Sequence, residues 1–484
     1  MKPVTLERLD HTLYPDRTRV LLRPFHFMSD QRALTICARI MELPEEEVHG
    51  LLEQLSASFG KRHRKLREFF QKRFDEVQPY LPASQPPSSE RALLLGACFS
   101  HEYSLEAAAL FNPSIVPHPD STGLKNDTLR FVLSLRSTGE GHISSITFRT
   151  GTLDANAHLT FDPAGHYCVE PAPAPHAGFE KPVFERKLEE MGLAGGFSQQ
   201  VLKTLEPSFT LSELRNHIRV ALLQLRTPNP ETEARARKIL VLAQANYEVR
   251  FEPDSPMSER VLFPATPAQS NGIEDARFVL FQDEFGRKTY YATFTAYDGR
   301  QIQPQLLETP DFLDFKFITL TGSAVQNKGM ALFPRKIQGK YAMLGRQDYE
   351  NIYIMFSEHL HFWNTAQVLL KPAFPWEFIQ MGNCGSPIET EAGWLALSHG
   401  VGPMRKYCIG AFLLDLKDPT RVLGRLRQPL IEPREGEREG YVPNVVYTCG
   451  ALRHGRMLLI PYATADYAVT FASVSLDDVL GAME

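Results

Sequence analysis

Apolar positions along this chain change period three times. Between about residues 30 and 80 they recur at helical spacing: Val48, Leu51, Leu52, Leu55 and Phe59 fall at i, i+3, i+4, i+7 and i+11. Pro44 followed by three glutamates marks a helix start. The Pro- and Ser-rich stretch Pro82 to Ser89 predicts a linker. Short runs after it predict strands at Ala92 to Phe99, Leu129 to Leu135 and Ile143 to Thr150. Helical spacing returns around 180 to 245, where Thr210 and Glu213 are placed as a capping box ahead of Leu214, Ile218, Ala221, Leu222 and Leu225. That segment interrupts a β region, which predicts an insertion. From about 246 onward, strand follows strand between turn signals: Tyr290 to Tyr297, Phe315 to Leu320, Tyr341 to Leu344, Ile352 to Phe356, Trp394 to Ser398, Cys408 to Asp415, Val445 to Leu452, Met457 to Tyr462 and Thr470 to Val474.

A long series of short strands with almost no helix means a sandwich, a barrel or a propeller, and so many strands in one continuous unit favour the propeller. With 484 residues, the chain exceeds what one hydrophobic core supports, so one large domain with an appendage, or two domains, is expected.

Composition narrows the partners only slightly. The chain is 43% hydrophobic and 23% charged with a net charge of −5, an ordinary folded protein in which no global charge selects nucleic acid. The basic run Lys61-Arg62-His63-Arg64-Lys65 continues the helical pattern and is expected to be a solvated helix face and not a nucleic-acid patch. No apolar leader opens the sequence, and no stretch nears the roughly 18 apolar residues of a spanning helix, so no membrane partner and a cytoplasmic location are expected. Cys37, Cys98, Cys168, Cys384, Cys408 and Cys449 are scattered without metal-ligand spacing, which predicts buried thiols and no metal site.

Candidate chemistry sits where polar residues punctuate strand ends. Five ordered segments stand out. They are Asn112-Pro113-Ser114-Ile115 with Ser134-Leu135-Arg136 and Gly141-His142; Asn271-Gly272-Ile273-Glu274-Asp275-Ala276-Arg277-Phe278; Lys328-Gly329 through Gly345-Arg346 to Trp363; Gly382-Asn383-Cys384-Gly385-Ser386-Pro387-Ile388-Glu389-Thr390-Glu391 leading to Ser398-His399-Gly400 and Tyr407; and Tyr441 through Gly450 leading to Ala465-Asp466. Together, over Ala92 to Val474 less the helical insertion, they resemble glycoside hydrolase family 130, the mannoside phosphorylases and related β-mannosidases.

The resemblance implies an all-β fold, a five-bladed β-propeller over residues 91–484 interrupted at about 180–245, preceded by a mainly helical region over 1–90. It implies inverting phosphorolysis of β-mannosides to α-mannose 1-phosphate, with manno-oligosaccharide and inorganic phosphate as partners and no metal or organic cofactor. β-1,2 linkage is preferred, on the look of the long variant. Asp275 matches the catalytic acid. An inverting reaction needs a proton donor for the leaving oxygen and a nucleophile on the opposite face, and phosphate is already anionic, so a lone carboxylate suffices. Asn112, Ser114, Tyr407 and Asp466 match substrate contacts, and Arg136 is added to them although its stretch departs from shorter members. Arg346 and His399 match phosphate ligands; guanidinium groups suit phosphate because they meet its oxygens bidentately.

Departures from the family pattern shape the alternatives. Gln380 stands where many members place a phosphate lysine, and no second phosphate arginine follows Trp363-Asn364. Arg405, Lys406 or Lys328 would restore that charge. If none does, an inverting β-mannosidase is the rival, with Glu389 or Glu391 as its base. A non-catalytic carbohydrate-binding propeller is a third reading, against which an acid at position 275 argues. Trp363, Trp376 and Trp394 are expected in the core. The N-terminal helices and the insertion are expected to form a homo-oligomer contact or a lid.

Overall fold

The computed structural model describes residues 4–26, 29–81, 86–124, 127–174, 178–225 and 229–484. Four helices, Asp30–Met41, Glu45–Phe59, Leu66–Val77 and Ser89–Cys98, pack together near the N-terminus. Val48 and Leu52 are buried on the second helix with Leu51 and Leu55 packed beside them, as the spacing requires.

Ala92 to Phe99, expected to be a strand, is mostly the fourth of these helices. Ser88 caps it by accepting from the Arg91 amide, and Ala92, Leu94, Leu95 and Gly96 are all buried. Burial on several faces erases the amphipathic period that would have marked a helix. Gly96 lies so close to the Phe70 carbonyl that any side chain there would overlap it. Of the expected linker, residues 82–85 lie outside the described residues.

The basic run also departs from expectation. The helix Glu45–Phe59 ends before it, and Lys61 to Lys65 forms the turn into the next helix. Arg62 and His63 reach Glu102 at 3.3 and 2.7 Å, Arg64 reaches Glu259 at 2.8 Å, and Lys65 pairs with Glu252. Lys61, Arg62, Arg64 and Lys65 are exposed, as expected of a solvated run, and only His63 is buried; the pairs link this turn to the strand Ser100–Ser104 and to the segment before Val261–Leu262.

The β region falls into successive antiparallel groups. Ala109–Pro117, Thr128–Thr138, Ser144–Asp154 and Leu159–Phe161 form one; Gly272–Gln282, Lys288–Tyr297, Ile302–Thr309 and Asp314–Thr319 form the next. A single parallel pairing, Gly272 to Ser144, joins these two into one larger sheet. Ala331–Leu332, Tyr341–Gly345, Ile352–Ser357 and Ala366–Leu370 form a third group. Gln380–Asn383, Trp394–Val401, Tyr407–Leu414 and Val422–Arg425 form a fourth, with Ile388–Glu389 at its side. In the last, Leu6–Leu13 pairs with Ala468–Ser475, which pairs with Met457–Thr464. The run expected from Val445 to Leu452 is broken, because the Cys449 amide turns aside to the Pro113 carbonyl and Thr448 caps the Gly450 amide.

Apolar clusters tie each group to the next. Phe148, Phe278, Phe312 and Phe315 sit between the first and second; Leu306, Met343 and Trp363 between the second and third; Phe333, Trp394 and Phe412 between the third and fourth; and Leu395, Tyr462 and Val474 between the fourth and last. Leu133, Leu459 and Phe471 then connect the last group back to the first. Trp363 and Trp394 are fully buried, whereas Trp376 is only half-buried and covers Gly400 and Gly410.

Helices Lys181–Glu190, Phe197–Lys203, Leu211–Gln224 and Pro230–Gln244 form a separate apolar cluster of their own. The capping box of Thr210 and Glu213 is made in full.

Because Leu6, Leu9 and Leu13 pack into the clusters of the last group, a chain beginning at residue 15 should lose about 3 kcal/mol or more of stability. Thermal and urea unfolding of that truncation against the full chain measures the loss.

Candidate active site

Two β-bulges create the site. The register between Ala109–Pro117 and Thr128–Thr138 slips between Phe111 and Ser114, and that between Gly272–Gln282 and Lys288–Tyr297 slips between Glu274 and Arg277. Within these slips Asn112 and Asp275 adopt left-handed backbone, φ 48° and 55°. Non-glycine residues take that conformation only where the surroundings impose it, and a bulge re-aims the side chain it carries. The two aimed side chains meet, the Asn112 amide donating to Asp275 Oδ1 at 2.6 Å.

Asp275 is only 5% exposed. Arg136 donates to its Oδ1 at 3.0 Å, to Glu274 Oε1 at 2.8 Å and to the Ser144 hydroxyl at 2.9 Å. Lys328 lies 3.9 Å from the other Glu274 oxygen. Burial is the largest influence on Asp275 and would raise its pKa, but Arg136, Lys328, Arg277 and the Asn112 hydrogen bond together outweigh it. They hold the carboxyl well below the usual range, so it is ionised. Arg277 is fixed by three bonds, to the Cys384 carbonyl, the Asp275 carbonyl and the Tyr447 hydroxyl.

A second carboxylate faces the same charges. The hairpin between Met457–Thr464 and Ala468–Ser475 turns through Ala465 and Asp466, at φ 49° and 50°. Burial, then the charge of Asp275, pushes Asp466 up to about 6 against the pull of Arg136, Arg405 and Lys328. Two neighbouring carboxyls are thus driven apart in acidity, an arrangement found where one group must hold charge and another a proton.

Arg346 and His399, within electrostatic reach of Asp275, form a buried pair. Arg346 Nη1 lies 2.9 Å from His399 Nε2. A guanidinium has no acceptor, so Nε2 accepts and the ring carries its proton on Nδ1. Burial first, then the cations Arg346 and Arg277, keeps this histidine neutral, far below its ordinary pKa. Its ring stacks with Tyr407 at 6.0 Å and contacts Tyr447 at 4.9 Å. Gly382 makes room, since a Cβ there would stand 2.5 Å from His399 Cε1 and 2.8 Å from Arg346 Cδ. Arg346 Nε and His399 Nδ1 are buried donors without a hydrogen-bond partner, a costly state that an anion's oxygens would relieve.

Of the residues singled out in the sequence, the structure brings Asn112, Arg136, Asp275, Lys328, Arg346, His399, Arg405 and Asp466 into one electrostatic neighbourhood. Tyr407 lines it through His399, and its hydroxyl accepts from Gln380 at 3.2 Å. Arg405 sits in a turn with Met404, both left-handed, its guanidinium 5.8 Å from the Tyr407 ring. Ser114 is different: its hydroxyl is fully buried and accepts from the Phe278 amide at 2.9 Å, joining the two bulged strands instead of facing the site. Lys406 pairs with Glu432 on the exposed surface. Glu389 is paired with Arg335, and Glu391 with Arg453 and Arg456, on the exposed surface. Neither can serve as a base beside Asp275. Sequence reasoning gave no role to Glu274, Arg277 or Tyr447. All three lay inside segments already noted, Glu274 and Arg277 beside Asp275 and Tyr447 in the stretch from Tyr441 to Gly450, but only folding shows that the Tyr447 hydroxyl accepts from Arg277. Among the described residues no group of three or more His, Cys, Asp or Glu could hold a metal ion.

Ionising half-buried Asp466 costs stability as pH rises from about 4, its unfolded value, through about 6. Asp466→Asn removes that cost, so the variant should be more stable than wild type by about 2 kcal/mol at pH 7 and equal to it below pH 4. Urea unfolding at both pH values reads the difference.

Residues 232–484 match the family model described as beta-1,4-mannooligosaccharide phosphorylase, of glycoside hydrolase family 130. That span holds Asp275, Arg346, His399 and Asp466 but not Asn112 or Arg136. A 1,2-beta-oligomannan phosphorylase of Thermoanaerobacter sp. (strain X514) is 34% identical over 230 residues, 46% of this chain and 75% of the relative. A beta-1,2-mannobiose phosphorylase of Listeria innocua is 34% identical over 233 residues, 46% of this chain and 63% of the relative. The solved structure of a Listeria innocua beta-1,2-mannobiose phosphorylase with beta-1,2-mannobiose aligns over 78% of this chain and 92% of that one, at 22% identity and a TM-score of 0.45. With more than half of its length, and Asp275, Arg346, His399 and Asp466, inside that match, the chain belongs to glycoside hydrolase family 130.

Proposed function

We propose that this protein is an inverting β-mannoside phosphorylase that transfers a mannosyl unit from a manno-oligosaccharide to inorganic phosphate, releasing α-mannose 1-phosphate, with β-1,2 linkages preferred. The observation that carries this reading is the joining of two features in one electrostatic neighbourhood: a buried, ionised carboxylate and a buried Arg346–His399 pair with unsatisfied donors. Phosphate held by Arg346, the neutral His399 Nδ1–H, Lys328 and Arg405 would attack the anomeric carbon from the face opposite the leaving oxygen. Asp275 would supply the proton to that oxygen, while Asn112, Arg136, Tyr407 and Asp466 hold the sugar. The names of the relatives support both the phosphorolysis and the β-1,2 preference.

The free site holds Asp275 ionised, so the acid must be made on binding. An anion among Lys328 and Arg346 screens the cations that lower its pKa, and the desolvation already acting on it then favours protonation. Hydrolysis would need a second carboxylate as base; the two proposed for that role are committed to arginines elsewhere.

The cyclic series of five antiparallel groups, each sharing a core with the next, supports a five-bladed propeller. In this reading residues 91–484 form the catalytic unit, closed by the N-terminal strand, with the helices of 181–244 inserted. Six free thiols agree with a reducing, cytoplasmic setting.

Incubation with β-1,2- and β-1,4-mannobiose, with and without phosphate, should give mannose 1-phosphate only with phosphate; free mannose at equal rates in both would overturn the proposal. Asp275→Asn should lower kcat about 10³-fold. Lys328→Met removes a cation that disfavours protonated Asp275, so the alkaline limb of kcat should move to higher pH, while the KM for phosphate rises. An unmoved limb would mean that Asp275 is not the titrating acid.

A further inference from the structure

Lys328 lies on a segment, residues 327–330, that belongs to no strand or helix. Its charge nevertheless acts on Asp275, His399 and Asp466 alike, and its ammonium lies 3.9 Å from Glu274 Oε2. A long, flexible cation on irregular backbone keeps one place only if other groups hold that backbone.

The groups that hold it come from three strand groups. Asn383, at the end of Gln380–Asn383 in the fourth group, donates its side-chain amide to the Gly329 carbonyl at 2.7 Å. Asn327 donates to the Arg346 carbonyl at 2.7 Å, which ties the segment to the third group. Thr293, from the second group, donates to the Met330 carbonyl. Asn327 and Gly329 are left-handed, at φ 60° and 91°, and a Cβ at Gly329 would stand 3.4 Å from Arg346 Cδ. The segment therefore lies directly against Arg346.

Both asparagines are buried, and each leaves its Oδ1 without a hydrogen-bond partner. An orphaned buried acceptor costs free energy, and packing alone would put an apolar side chain at such a position. What each position uses is the amide N–H, which neither an aspartate nor a leucine of similar size supplies. The neighbour of Asn383, Gly382, pairs in register with His399 and leaves room for both His399 and Arg346. Two consecutive residues of one strand end thus serve three members of the site. We infer that Asn383 and Asn327 are positioning residues for Lys328, clamping its segment so that the ammonium shares one anion-binding site with Arg346 and His399. Taking that anion to be phosphate rests on the phosphorylase reading.

Steady-state kinetics of the full-length protein with β-1,2-mannobiose and phosphate, run as a cycle with Lys328→Met, test the clamp. Asn327→Gly removes the side-chain amide and keeps the left-handed backbone available, and Asn383→Ala removes the other donor. Each should raise the KM for phosphate about tenfold and leave the KM for mannobiose unchanged. Neither should raise it further once Lys328 is replaced, because both act through that side chain. Equal rises in the two KM values, or an increment undiminished in the Lys328→Met background, would show a general structural role and overturn the inference. A wild-type KM for phosphate in both variants overturns it as well. Should Asn383→Ala not fold, Asn327→Gly decides alone. If wild type turns over without phosphate, the phosphorolysis reading fails and the clamp is read from the alkaline limb of kcat. Lys328→Met and both clamp variants should then move that limb to higher pH, with no further movement in the double variants; a limb moved by Lys328→Met alone sinks the clamp.

Discussion

A carboxylate with almost no access to water can stay charged only if the protein supplies the compensation that solvent would have given. At Asp275 that compensation comes from Arg136, Asn112 and the nearby cations Lys328 and Arg277. Each arrives from a different part of the chain, and each is itself fixed: Arg136 by Glu274 and Ser144, Arg277 by two carbonyls and the Tyr447 hydroxyl. Meeting this one charge thereby fixes how the first, second and last strand groups approach one another. Removal of Arg136 would strand two acidic groups at once.

Part of the backbone strain falls at the same place. Asn112, Asp275, Asp466 and Arg405 all have left-handed backbone without being glycine. Such conformations cost of order 1 kcal/mol each and persist where tertiary contacts over-determine them. Here they turn side chains from the walls of otherwise regular sheets into a common space, which unkinked strands alternating between faces would not do. The large aromatic clusters between strand groups provide the rigidity that holds these turns against relaxation.

The buried Arg346–His399 pair shows how burial sets chemical character. A histidine in contact with an arginine is kept neutral and thereby becomes a directed donor and acceptor, not a second cation. Its place between two tyrosine rings leaves it one orientation. In the proposed reaction this would present the phosphate with an arginine whose geometry is already set, leaving little reorganisation for the moment of transfer.

What the sequence determined by itself was largely local. Strand runs from Tyr290 onward, the helices of 181–244 and the capping box at Thr210 follow from period and cap chemistry, which depend on near neighbours. The motif around Asp275 and the residues Arg346, His399 and Asp466 could be named because their types and order carry a family pattern. Tertiary structure alone decided the rest. The helix Ser89–Cys98 hid its period because several of its faces are buried, and the basic run found its partners in Glu102, Glu252 and Glu259, far along the chain. Ser114 turned out to hold the Phe278 amide, Glu389 and Glu391 were consumed by arginines, and Tyr441 met His142 from 299 residues away. Each of these outcomes is a pairing between distant residues, and no one-dimensional pattern records which charge or hydroxyl will be left over once the strands have packed.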